Sequence, residues 1–161
     1  MKPAQHPTAL RISQLVRDAG VDSQVVEFEQ TTRTSAEAAA AVGCEVAQIA
    51  KTIVFRGKAS GLAVVVVASG ANRVSEKKVE ALVGESLGRA DADFVREATG
   101  FAIGGVAPVG HTKPVKMLLD EDLQRFESIW AAGGTPFAVF PLTPSQLSSL
   151  TQAGWADVKS E

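Results

Sequence analysis

The chain has 161 residues, 45% of them hydrophobic, and its 16 Lys+Arg nearly cancel its 18 Asp+Glu for a formal charge of -2. That length suits one domain with a real core, which argues against wholesale disorder. The near-neutral balance argues against a general nucleic-acid coat protein, which would carry a basic surface. The single cysteine, Cys44, rules out an intramolecular disulfide, and with only His6 and His111 beside it no His- or Cys-rich metal site can be built.

In chain order, Pro3 and Pro7 mark residues 1–8 as a flexible lead-in to a domain over residues 9–161. Thr8 to Ala19 has the apolar spacing of an amphipathic helix, with Gly20 as its stop. Val25, Val26 and Phe28 predict a short strand. Thr34 and Glu37 fit a capping box before an alanine-rich helix that ends at Gly43, and Val46 to Ala50 reads as one further turn. Thr52 to Phe55 and Leu62 to Val67 are continuous apolar runs, so both faces should be covered and the hairpin should lie centrally.

Ser75 and Asp91 are N-caps for two further helices, the second stopped by Gly100. Val115 to Leu119, Ser128 to Ala131 and Phe137 to Phe140 predict three strands. Thr143, Pro144 and Gln146 start a last helix reaching about Ala153. Helices and strands alternate without a βαβ rhythm, which predicts an α+β fold with a mixed sheet. The longest apolar stretch, Leu62 to Ala68, is a strand's length against the ~20 residues of a spanning helix. MKPAQHPTAL lacks the apolar core of a signal peptide, so a cytoplasmic location is expected.

The densest candidate for chemistry is Gly100 to His111. Glycines this close let backbone approach a ligand and let several N–H groups face one space, which suits a phosphate or a developing oxyanion. A tight turn between two strands explains the same residues. Gly105 to Thr112 comes within one residue of a phosphate-binding loop, but His111 replaces the required Lys and Pro114 opposes the required helix. Lys51, at the entrance of an apolar run, must reach water or meet an anion. His111 could be a general base or an idle loop residue, and no G-x-S-x-G elbow supplies a nucleophile. Cys44 has no CxxC companion and reads as an inert thiol. Gly133-Gly134 is a hairpin turn or a second wall of the same pocket. Arg73, Lys77 and Lys78 form a solvated basic face or a phosphate contact.

Several of these pieces stand in a familiar order. They are Thr34-Ser35-Ala36-Glu37-Ala38-Ala39, Gln48-Ile49-Ala50-Lys51-Thr52-Ile53-Val54-Phe55, Lys77-Lys78-Val79, Gly100 to His111, Gly133-Gly134 and Thr143-Pro144. Together they make the chain resemble the YbaK/ProRS-associated editing-domain family over about Ala9 to Val158. The resemblance implies a single compact domain with a mixed, partly barrel-like sheet surrounded by helices. It implies a free-standing hydrolase that cleaves the ester between a wrong amino acid, such as Ser, Thr, Ala or Cys, and the tRNA 3′ end. Lys51 matches the family's strand lysine, and Gly104 and Pro108 match the ends of its G-x-x-x-P loop.

The site expected on this resemblance has Lys51, Gly104, Gly105 and His111 as catalytic residues. Thr34, Thr52, Pro108, Gly110, Gly134 and Thr135 would surround the substrate, with no metal and no cofactor. Mischarged tRNA is the expected partner, with a synthetase or elongation factor as a further candidate and no membrane. Two alternatives stay open: a non-catalytic module that binds the acceptor end or a synthetase, and a hydrolase for a small ester or nucleotide.

Overall fold

The computed structural model describes residues 1–161. Nine strands and five α-helices follow one another as β1 (Lys2–Pro3), α1 (Pro7–Asp18), β2 (Val26–Glu27), α2 (Ser35–Val42), β3 (Ile49–Gly57), β4 (Ala63–Ser69), α3 (Glu76–Val83), β5 (Leu87–Arg89), α4 (Ala92–Thr99), β6 (Val115–Asp120), β7 (Ile129–Ala132), β8 (Ala138–Leu142), α5 (Pro144–Thr151) and β9 (Gly154–Ala156). Short 3-10 turns at Val46–Gln48 and Glu121–Arg125 complete the set. The strands form one mixed sheet in the order β1-β2-β8-β7-β3-β4-β6-β9, with β5 added to β3. This is the α+β architecture that the interspersed sequence pattern predicts. No helix is long and apolar enough to cross a membrane.

The continuous valine run explains the middle of the sheet. Every residue of β4 is buried. Strand alternation sends Val64, Val66 and Ala68 toward Val79 of α3 and Leu87, while Val65 meets Ala98 of α4. On the main face, Val67 joins Ile12 and Val16 of α1, Phe101, Phe140 and Leu147. Burying each such side chain is worth about 1.5–3 kcal/mol. The β3–β4 hairpin is therefore central because neither face of β4 can be wetted.

The helix ends follow the capping residues. Thr34 and Glu37 form a complete capping box, at 3.1 Å each way, and Gly43 closes α2 in the left-handed region at φ 78°. Asp91 caps α4 through the Phe94 N–H. Helix α5 ends at Thr151, two residues before the expected Ala153, because Gln152 takes a positive φ of 59°. His6 has a local role: its Nδ1 accepts from the Thr8 N–H, and Pro7 fills the first helical position of α1. Residues 1–8 thus carry a strand and a capped helix start, because β1 pairs with β2 and Glu27 takes the His6 N–H.

Strand β3 begins three residues before the expected Thr52, since Ile49 and Ala50 pair with Trp130 and Ala131 of β7. Its opposite end, Phe55 to Gly57, pairs with β5. Both neighbours lie on the edge of β3 that faces away from β4. Between them, Lys51 to Val54 pair with β4 alone and have no partner strand on that edge.

Candidate active site

A cavity of about 390 Å³ opens at this gap in the β3 edge. One wall is β3 from Ile49 to Ile53. A second is the lead into α2, including Arg33, Thr34 and Ser35. The start of the glycine loop, with Gly104 and Val106, forms a third, and Trp130, Ala131, Ala132 and Val139 form the floor. The lining carries two cations, Arg33 and Lys51, and no carboxylate. In a chain of net charge -2 that is a local reversal, and it favours an anionic ligand.

Lys51 and Thr52 leave β3 on opposite faces, yet both reach the cavity because it wraps the open edge. The half-buried Lys51 ammonium donates to the Asn72 carbonyl oxygen. Burial pushes its pKa below the usual lysine range, and the Asp120 carboxylate opposes that shift. Asp120 is itself buried, at 1% exposure. It accepts from the Ser69 N–H at 3.0 Å, the Asn72 side-chain amide at 2.8 Å and the Asp122 N–H at 3.0 Å. A buried carboxylate so fully bonded fixes Asn72, and Asn72 in turn fixes the lysine.

Thr52 shares its face with Ala50 and Val54, which pack into the main core. Its Oγ1 is the one buried side-chain oxygen or nitrogen in the molecule without a hydrogen-bond partner. An unsatisfied buried polar group costs about 1–3 kcal/mol. The glycine loop borders the same cavity. The Gly105 N–H bonds the Ala102 carbonyl, but the N–H groups of Gly104 and Val106 have no acceptor within the chain. Val106 is nearly sealed from solvent, at 3% exposure. Unpaired N–H groups beside a cavity are what a developing oxyanion requires.

The other expected residues stand behind this wall. Gly105 packs on the β7–β8 connection, where an added Cβ would lie 2.5 Å from the Thr135 carbonyl carbon. Thr135 is buried and its Oγ1 accepts from the Phe137 N–H. Gly134, at φ 102°, lies against Ile12 and Thr8 of α1. Pro108 is buried in the loop. The Gly110 carbonyl accepts from the Arg11 guanidinium at 3.2 and 3.3 Å. His111 Nε2 lies 2.9 Å from the Ala107 carbonyl, and its ring meets Phe101 edge-on at 6.0 Å. Burial lowers the pKa of His111, partly offset by the Ala107 bond. The neutral ring therefore donates from Nε2 and pins the loop.

The structure thus gathers Lys51, Thr34, Thr52 and Gly104 around the cavity, while Gly105, Pro108, Gly110, His111, Gly134 and Thr135 brace the loop from outside it. Of the basic face, Lys78 is committed to Asp157 at 2.9 Å and to the Lys159 carbonyl. The Cys44 thiol bonds the Glu45 carbonyl, and burial raises its pKa. Arg33 and Trp130 are lining residues that the sequence pattern did not single out. The signal for Arg33 was a cation one residue before the N-cap, and the signal for Trp130 was an aromatic in a short strand.

Comparison with known proteins places the chain in a family. A family model, the aminoacyl-tRNA editing domain, matches residues 29–150, so the chain belongs to that family. A solved structure of a candidate trans-editing enzyme for prolyl tRNA synthetase superposes with a TM-score of 0.91 at 47% identity, covering 98% of this chain and 100% of that one. YwhH of Bacillus subtilis, an uncharacterized protein, is 33% identical over 85% of this chain and 87% of its own length. A candidate Cys-tRNA(Pro)/Cys-tRNA(Cys) deacylase, EbsC of Enterococcus faecalis, is 27% identical over 79% of this chain and 78% of its own.

Proposed function

We propose that this protein is a trans-editing deacylase that hydrolyses the ester between a small wrong amino acid and the 3′ end of tRNA. The observation that carries the reading is a cavity bordered on two walls by residues with unsatisfied polar groups: the Thr52 hydroxyl on β3, and the Gly104 and Val106 N–H groups on the glycine loop. Family membership narrows the reaction to aminoacyl-ester cleavage. Attack of water on the ester carbonyl forms a tetrahedral oxyanion. The two N–H groups stabilise it, and one such donor is worth about 2.7–4 kcal/mol.

Lys51 holds the terminal nucleotide's phosphate or the aminoacyl group, and Thr52 Oγ1 holds the ester or the attacking water. No lining side chain is a carboxylate or histidine, so the substrate's own α-amine takes the water's proton and passes it to the leaving ribose oxygen, with a ribose hydroxyl orienting the water. The family resemblance suggests a short side chain, Ser, Thr, Ala or Cys, and the floor of Trp130, Ala131, Ala132 and Val139 would set its upper size. The two relatives named for prolyl tRNA synthetase and for Cys-tRNA(Pro) put tRNA(Pro) first among substrates to test. The protein would act in the cytoplasm on released tRNA, alone or beside a synthetase.

The test is release of amino acid from tRNA(Pro) charged with Ala, Ser, Thr or Cys. Wild-type protein is expected to deacylate at least one of these, and Lys51→Ala to lose most of that activity while staying folded. Inactivity on all four sinks the deacylase reading. Binding of charged tRNA without turnover would instead favour a non-catalytic acceptor-end module.

A further inference from the structure

We propose that the C-terminal stretch 157–160 positions Lys51, with Asp122 and Lys159 as positioning residues that act through Asn72. What the ammonium does to a substrate rests on the deacylase reading; where it is held rests on the contacts alone. The Lys51 ammonium donates to the backbone carbonyl of Asn72, so its place is set by whatever holds that carbonyl. Asn72 ends the turn that follows β4, closed by its own N–H on the Ser69 carbonyl at 2.9 Å. Its side-chain amide is fully committed: the nitrogen donates to Asp120 at 2.8 Å and to Asp122 at 2.9 Å. An amide nitrogen has only two hydrogens, and an ionised carboxylate only accepts, so both donors are used.

The two anchors differ. Asp120 is buried and bonded on every side. Asp122 lies nearer the surface, and the oxygen that takes the Asn72 amide also takes the Lys159 ammonium at 3.2 Å. Two carboxylates on one amide repel each other. Lys159 offsets that repulsion, with a weaker attraction from Arg125. Lys159 is itself held against the same turn. Its neighbour Val158 is fully buried beside Val64, Val66 and Val79. Lys159 forms an antiparallel bridge with Val74. The Ser75 N–H donates to the Val158 carbonyl and the Ser160 N–H to the Arg73 carbonyl, both at 2.7 Å. The Lys78 ammonium donates to the Asp157 carboxylate and the Lys159 carbonyl. Backbone and side chain of one short stretch therefore converge on the residue that holds the lysine. An ion pair as open as this contributes little to stability. Its loss leaves Asn72 with one anchor and frees the carbonyl to move, and a misplacement of 1 Å can cost about 100-fold in rate.

The experiment follows the side-chain ammonium of Lys51 by NMR relaxation in the full-length wild type, Lys159→Ala, Asp122→Ala and Lys159→Arg. In wild type its order parameter should stand well above that of the exposed Lys77. In Lys159→Ala and Asp122→Ala it should fall toward the Lys77 value, and Lys159→Arg, which keeps the ion pair, should restore it. Lys116, paired with Glu85, should not change in any variant. In turnover, Lys159→Ala should lower kcat/KM for charged tRNA about tenfold, as a misplacement of less than 1 Å would. In a Lys51→Ala background the same substitution should cost nothing more. The proposal is overturned if Lys51 stays as ordered as in wild type in both alanine variants. It is overturned equally if Lys116 loosens to the same extent, or if Lys159→Ala costs as much without Lys51 as with it. Absence of turnover on every charged tRNA would sink the deacylase reading, and the relaxation data would still decide what holds Lys51.

Discussion

Gly105 and Thr135 are in backbone contact: a Cβ built on Gly105 would sit 2.5 Å from the Thr135 carbonyl carbon and 2.8 Å from the Pro136 nitrogen. The glycine loop and the β7–β8 connection therefore touch without a side chain between them. Gly105→Ala must push one of two backbones aside, and overpacking of this kind costs about 1–3 kcal/mol. For a chain of this size each kcal/mol lowers Tm by about 2–4 °C. Thermal denaturation should show that drop, and deacylation should fall with it, because the Gly104 and Val106 donors move.

His111 is expected to behave as a brace. Its folded pKa lies below the usual 6.5 because of burial. The unfolded state then binds more protons as pH falls below 6.5, so stability is lost in that direction and is unaffected above it. His111→Gln keeps a donor for the Ala107 carbonyl and removes the titration. It should flatten the acid limb of the stability profile in denaturant titrations below pH 6.5. A general base would cost about 10²–10⁴-fold when removed. We expect His111→Gln to lower kcat by well under that range.

Glu85 offers a stability test far from the site. Its carboxylate takes the Lys116 ammonium at 2.6 Å and the Ser60 and Ala59 N–H groups at 2.9 and 3.0 Å. Chiefly through Lys116, these hold its pKa at about 2, against an ordinary value of 4.5. The folded pKa is depressed, so the contribution is complete above pH 4.5 and lost as pH falls toward about 2. Glu85→Gln should be less stable than wild type near neutral pH. The two denaturation midpoints should converge in acid.

Ala132 sets the floor of the cavity. Ala132→Val takes up space that a longer acyl side chain would need. Discrimination by a methylene is worth about 1–3 kcal/mol. The kcat/KM ratio of Ala-tRNA to Thr-tRNA should therefore rise about tenfold or more. An unchanged ratio would place the acyl group elsewhere.

The fold was legible where local chemistry decides it. Thr34–Glu37, Asp91–Gly100 and Thr143–Gln146 each carry their helix start or stop within a few residues. The valine run of β4 declares its own burial. What escaped were the strands made by pairing. Leu87–Arg89 and Gly154–Ala156 are three residues each, too short for any period, and exist because β3 and β6 offer them edges. The site divided in the same way. Lys51, Thr52 and Gly104 sit in motifs, so a reading of the motifs found them. The separation of lining residues from bracing residues depends on which side of the loop α1 and the β7–β8 connection pack, and no spacing along the chain encodes that. The Arg33 stem lies against Gly104, 71 positions later by their numbering, a relationship only the folded chain can display.

The gap in the β3 edge has one more consequence. An unpaired strand edge invites another chain to add to the sheet. Here the opening spans only Lys51 to Val54, about 13 Å at ~3.3 Å per residue. Strands β7 and β5 close it at both ends, and globular strands commonly run to about 5–6 residues. So short a berth offers a neighbouring polypeptide only a few ladder bonds, with no room to lengthen at either end. The protein can thus keep hydrogen-bonding backbone bare in the middle of its sheet without becoming a template for its own aggregation.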